Sequence, residues 1–514
     1  MSKNQLFKCR KLNNENDYKQ FIRQFPTKLI INKIYKISKE IYFGRRSIND
    51  LSRRIYEKNI KDGNILEQDM IIQPWQFADL IYQSVLCSND YRGMNDLSYN
   101  MVLLILLQTN EYIDLKINPI INTLHSSLDI TLFLYGFVGE QFKYQNKFIF
   151  YNNLVRELYI LFNLGKKYNK NLDFETDIQR EIGVSWKDVI FVLYGIYLNS
   201  WIEQNIDNAI NYLIFENEVE KNEVFNKVVR YYSVDYSDIR KSNLGRQIFY
   251  SKPYVVNQKN ETVCFSIFFN QFIVEHALFW ILRNYYKNKL KNESRKFTSQ
   301  FGFLYEKYFE EICNFFSVQK EKIPECNEPR ADWKLTLGEY IVLIEQKSSI
   351  FSLAIKQQIT DCIKYKDEIK KRLFKGLTQL EKTEKDLKLQ NTIKIVLCYD
   401  EYLDANILHR ILNDAISPVR NDGHYFLANT IEIEMFLELS TVNKPLFDQV
   451  VKEMLKRNKS TSEGCLNLFN IMKDNGWKTN SYWTNQKFNE YKELIENFKN
   501  RHIKFRGKKI IPVN

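Results

Sequence analysis

Apolar and polar residues alternate through Trp333-Lys334-Leu335-Thr336-Leu337 and again from Tyr340 to Lys347, the period of two that marks a strand. Between the runs stands Gly338-Glu339, and glycine at the first central position suits a two-residue type II′ turn. Such a hairpin pairs Leu337 with Tyr340, and counting outward sets Asp332 opposite Glu345. Glu345 and Lys347 are two apart, so they share a face. The run Ile341-Val342-Leu343-Ile344 is apolar on both faces, which predicts a central, buried strand.

Elsewhere the period is mostly helical. Residues 1 to about 245 carry helical spacing at Phe77–Val85, Met101–Leu107, Phe148–Leu164 and Trp186–Tyr197, the last behind Ser185 as N-cap. From 246 the chain predicts two short strands, Pro253–Val256 and Thr262–Phe265, then an apolar helix over Phe272–Tyr286 and a basic linker over Lys287–Lys296. Glu275 and His276 lie on that helix about 100° apart, so packing is their expected role. A helix over Phe303–Phe316 follows, its stripe Leu304, Tyr308, Ile312 and Phe315 leaving Glu306 to one side. Beyond the hairpin, Ser348-Ser349 cap a helical stretch with Ile359, Ile363, Ile369, Leu373, Leu377 and Leu380 as its stripe, ringed by lysines from Lys356 to Lys371 and by Arg372. Those cations read first as a solvated face and second as a track for phosphates. Ile393–Tyr399 is a buried strand, 405–415 a helix, Asn421-Asp422-Gly423 a turn and Tyr425–Leu427 an edge strand. Residues 441–514 return to helix, with Trp477, Tyr482 and Trp483 in a polar setting and a basic tail from Lys499 to Lys509.

The formal net charge of +12 favours an anionic partner such as nucleic acid, although lysine-rich coding bias explains part of it. Eight scattered cysteines without a C-x-x-C pair predict reduced thiols in the cytoplasm and neither a zinc site nor a disulfide frame. No G-x-x-x-x-G-K-[ST] occurs, which excludes a P-loop enzyme. The opening MSKNQLFKCRK lacks a signal-peptide core, and the longest aliphatic run, Met101–Leu107, is too short to span a bilayer, so no membrane partner is expected.

Directly opposed carboxylates repel, and a hard divalent cation between Asp332 and Glu345 converts that repulsion into binding. Lys347 on the same face would then orient a metal-bound water or stabilise developing negative charge. An ordinary surface hairpin with solvated charges is the competing reading, and the doubly apolar strand beside Glu345 argues against it.

Asp332 followed by Glu345-Gln346-Lys347 at the end of a buried strand resembles the PD-(D/E)xK nuclease family. Pro329 stands three residues before Asp332, where the family name implies an adjacent proline. The resemblance covers roughly residues 296–440 and implies an α/β restriction-endonuclease-like core, a mixed sheet flanked by helices. The remaining layout is a mostly helical domain over 1–245, a connector over 246–295 and a helical extension over 441–514. The family pattern implies catalytic roles for Asp332, Glu345 and Lys347. It implies Mg²⁺, with Mn²⁺ as substitute, held by Asp332, Glu345, the main-chain carbonyl of Gln346 and an acidic residue on the first helix. Glu306 occupies the matching place and Glu310, one turn later, competes with it. Some relatives carry a glutamine and a tyrosine one helical turn apart on the second helix; Gln357, Gln358 and Tyr365 have the wrong spacing for that pair.

The expected function is a metal-dependent nuclease, DNA favoured over RNA. At the level of architecture the chain resembles bacterial antiviral defence effectors, the helical half docking a protein partner or a second copy. A stand-alone restriction endonuclease and a non-catalytic nucleic-acid-binding scaffold are the alternatives.

Overall fold

The computed structural model describes residues 12–43, 74–122, 150–169, 172–288, 294–324, 329–348, 368, 370–390, 392–399, 425–457, 468–477 and 482–504. The helix expected over 405–415, the turn at 421–423, the lysines from Lys356 to Lys366 with Gln357, Gln358 and Tyr365, and the basic tail from 505 onward lie outside these residues.

Helices and two mixed sheets make up the described chain. The smaller sheet joins β1 (Ser233–Asp235), β2 (Tyr254–Val256) and β3 (Thr262–Cys264), β1 parallel and β3 antiparallel to β2. It ties together the two sides of the boundary expected at 245. The larger sheet runs in the order β4 (Gln319–Lys322), β5 (Trp333–Leu337), β6 (Tyr340–Lys347), β7 (Thr392–Cys398) and β8 (Phe426–Asn429). Strands β4, β5 and β6 form an antiparallel meander, and β7 and β8 add on parallel to β6.

The hairpin has the predicted register, Leu337 against Tyr340 and Trp333 against Ile344. Gly338 has φ +66° while Glu339 stays on the negative side, the pattern of a type II′ turn. Strand β6 is central because its Val342–Glu345 segment is buried on both faces, as its apolar run requires. All seven residues of β7 are buried, including Thr392 and Lys394. Strand β4, by contrast, is QKEK and mostly exposed. It carries no apolar alternation, which is why hydrophobic patterning does not mark it.

Helices cover both faces of this sheet. Residues Trp333, Leu335, Val342, Ile344 and Gln346 turn one way, towards the Ser294–Phe315 helix, where the Trp333 ring meets Phe309 with centroids 5.5 Å apart. Glu345 and Lys347 turn the other way, towards the Lys375–Asp386 helix, which packs on β6 and β7. The first of these helices begins nine residues before the predicted Phe303, because Phe297 and Phe301 prolong its buried stripe through the polar Lys-Phe-Thr-Ser-Gln segment. The expected linker over 287–296 is correspondingly shorter.

Two further expectations are revised. The apolar helix over 272–286 is two helices, Ile267–Glu275 and Ala277–Asn288, broken at His276. Buried Glu157 forms this break: its Oε2 contacts His276 Nδ1 at 3.1 Å and its Oε1 accepts the Phe279 amide at 3.0 Å, capping the second helix with negative charge. Trp483 sits in the core, donating its indole N–H to the Tyr308 hydroxyl at 2.9 Å. The segment at 499–504 is likewise built in. Lys499 is buried beside Glu496, Arg501 pairs with Glu216, and the Ile214 and Ile503 amides donate to the Arg501 and Tyr212 carbonyls.

One continuous apolar core runs from Leu12 to Phe498. Within it Arg156, from the Phe150–Leu158 helix, pairs with Glu434 of the Thr430–Val442 helix at 2.8 and 2.9 Å, and the Tyr308 hydroxyl donates to the same carboxylate at 2.6 Å. No described helix is long and apolar enough to cross a membrane.

Candidate active site at the end of strand β6

Strict ladder pairing stops at Trp333, and Asp332 continues the line by one residue. Its amide donates to the Ile344 carbonyl at 3.1 Å, and its Oδ2 accepts the Gln346 amide at 2.7 Å. A side-chain oxygen thus takes the place of a main-chain acceptor and ties the carboxylate to β6. Burial raises the Asp332 pKa, while the Gln346 amide and the Lys347 charge pull it down.

Glu345 is 1% exposed. Its Oε1 accepts a hydrogen bond from Lys347 Nζ, and its Oε2 is buried with no hydrogen-bond partner. Burial and then the Asp332 carboxylate push its pKa up to about 7, against the pull of Lys347 and Lys375. Two carboxylates and one ammonium group therefore share a patch too dry for the carboxylates to be indifferent to each other.

Gln346 sends its side chain to the opposite face. There Oε1 accepts from the Trp333 indole at 3.1 Å and Nε2 donates to the Tyr305 carbonyl at 2.9 Å. Only its main chain is left on the carboxylate side.

Glu306 lines the neighbouring cavity and lies close enough to Asp332 to raise that group's pKa. Its own carboxylate, however, is bonded to Lys322 on β4. Glu310 is turned to Lys307, at 2.9 and 3.0 Å, and does not line the cavity. Among the described residues no group of three or more histidine, cysteine or carboxylate side chains is placed to hold a metal ion. A cation here would rest on Asp332 and Glu345, with water and a phosphate oxygen completing its shell. That is the usual manner for Mg²⁺, which keeps most of its waters. The partnerless Glu345 Oε2 and the all-oxygen donor set fit such an ion.

Three contributors escape the sequence pattern. Lys322 sits on the unpatterned strand β4, so only its pairing opposite Trp333 reveals it. Gly376 lets the Lys375–Asp386 helix approach Glu345, and Lys375 beside it lines the cavity. Gly376 is the one signal available in advance, a glycine inside a helical stripe.

No protein-family model, curated protein or solved structure matches this chain.

Proposed function

We propose that the chain is a divalent-metal-dependent nuclease that hydrolyses phosphodiester bonds of nucleic acid, DNA favoured over RNA, on a restriction-endonuclease-like core. That core comprises the Ser294–Phe315 helix, the β4–β6 meander, the Lys375–Asp386 helix and β7. The supporting observation is the Glu345 carboxylate: one oxygen is held by Lys347 and the other is buried without a partner, beside the half-buried Asp332 carboxylate. Leaving a buried carboxylate oxygen unmatched is costly, and a ligand that supplies positive charge removes the cost.

Asp332 and Glu345 would hold Mg²⁺ or Mn²⁺, with the Gln346 carbonyl as a further oxygen. A divalent ion in this position supplies a water of lowered pKa and offsets charge on the scissile phosphate. The chain's own residues do the rest. The Gln346 amide fixes the Asp332 carboxylate, so its orientation is set before substrate arrives. Lys347, 21% exposed at its side chain, reaches from Glu345 to the cavity and presents its ammonium group to a phosphate there.

The test is cleavage of end-labelled DNA and RNA by the purified chain, with and without Mg²⁺ or Mn²⁺. Cleavage should require the ion and disappear in Asp332→Asn and Glu345→Gln variants that melt as folded proteins. A wild-type chain that leaves both polymers intact in either ion overturns the reading.

A further inference from the structure

Beside the carboxylate patch lies a cavity of about 350 Å³, the lower end of the range for small-molecule sites. Lys347 and Ser348 form one wall, Glu306 and Tyr305 a second, and Lys371, Arg372 and Lys375 a third. The third wall is a π-helical turn, Lys370–Phe374, running into the Lys375–Asp386 helix. Such turns are uncommon and concentrate at functional sites. Arg372 is steadied by Glu368 at 3.0 Å, and Lys371 and Lys375 are exposed. The four cations face a single lining carboxylate, Glu306, which Lys322 already neutralises.

The lining is equally informative for what it withholds. Reading a base takes a free amide, carboxylate or guanidinium fork, or an aromatic face to stack on. Gln346 has both ends of its side-chain amide engaged, by Trp333 and by the Tyr305 carbonyl. The Tyr305 ring is 1% exposed and packed edge-on against Tyr399, so it offers no stacking face. What remains is the ammonium groups of Lys371 and Lys375, which are point charges, and the Arg372 guanidinium, whose Nε is engaged by Glu368.

Resting on the nuclease reading above, we infer that this cavity is a phosphate-backbone subsite: Lys371, Arg372 and Lys375 grip the phosphodiester backbone next to the scissile phosphate and do not read the base. It is about the size of one nucleotide unit, and the recognition it provides is independent of sequence. Any sequence preference then comes from another part of the chain.

Binding measured without divalent cations separates this inference from the chemistry. Anisotropy titrations of the full chain would use short labelled single-stranded oligonucleotides of different sequence over a range of salt. The variants are K371Q/R372Q/K375Q and, keeping the Arg372–Glu368 pair, K371Q/K375Q. Both should bind more weakly than wild type by a similar factor on every oligonucleotide. In the triple variant the slope of log K against log salt should fall by about 0.7 for each phosphate that is no longer neutralised. Wild-type binding with an unchanged slope in the folded variants overturns the subsite and leaves the nuclease reading standing. A loss that differs more than tenfold between sequences overturns the indifference to bases. A wild-type chain that binds no oligonucleotide overturns the subsite, and the cleavage assay with Mg²⁺ or Mn²⁺ then decides the nuclease reading by itself.

Discussion

Gly376 lies directly against the Glu345–Lys347 pair: a Cβ at this position would stand 3.2 Å from Glu345 Cγ and 3.5 Å from Lys347 Cε. Alanine there must displace the carboxylate arm by a few tenths of an ångström, while it favours the helix by about 0.8–1 kcal/mol over glycine. Gly376→Ala should therefore keep or raise the melting temperature and yet lower turnover by about tenfold, since small misplacements of reacting groups are expensive. Thermal melts beside single-turnover cleavage check both halves.

Lys347→Ala removes the ammonium group that Glu345 holds and the cavity presents. At saturating Mg²⁺ and nucleic acid, turnover should drop by about two to three orders of magnitude, with affinity changed far less. Undiminished cleavage by a folded Lys347→Ala chain would falsify the proposed role.

The Glu345 pKa, pushed up to about 7, makes stability depend on pH. The folded state binds this proton more tightly than the unfolded chain, so the group's destabilisation is absent below about pH 4.5, grows between there and pH 7, and is complete above it. Metal-free wild type should accordingly lose melting temperature as pH rises from 5 to 8. Glu345→Gln should show a flatter profile over that window. Added Mg²⁺ should raise the wild-type melting temperature at pH 8 and leave the variant's nearly unchanged.

The hairpin was legible because two constraints agree: Gly338 sets the turn, and a one-residue slip would turn every apolar residue of β5 and β6 to the wrong face. The central place of β6 followed from apolar residues on both faces. Strand β4 was not legible, because an edge strand of QKEK is held by main-chain bonds to β5 and carries no apolar alternation. The break at His276 escaped for a different reason. Its cause is Glu157, more than a hundred residues earlier, and local periodicity is blind to a cap delivered by tertiary structure. Trp483 misled through its polar neighbours, since what buries it is Tyr308, Phe315 and Phe488. The register places Asp332, Glu345 and Lys347 together at the end of β6, as in the structure, but it does not tell that Glu306 is taken by Lys322.

Arg156 and Glu434 form a pair whose side chains are only 3% and 6% exposed. Arg156→Met strands a buried carboxylate and should cost about 3–5 kcal/mol, whereas Arg156→Met with Glu434→Leu should recover much of that loss. Denaturant unfolding of the two variants tests this. A single cooperative transition in wild type would further show that the helical half and the sheet unfold as one.

The strap of contacts between 212–216 and 501–503 also sets a schedule. Arg501 and Ile214 are 287 residues apart in the chain, yet each completes the other's surroundings. At translation rates of about 5–20 residues per second, roughly 15–60 s separate their syntheses. Throughout that interval the nascent helical half lacks its 501–503 partners. The fold locks only after the sheet, Asp332, Glu345 and Lys347 have all left the ribosome.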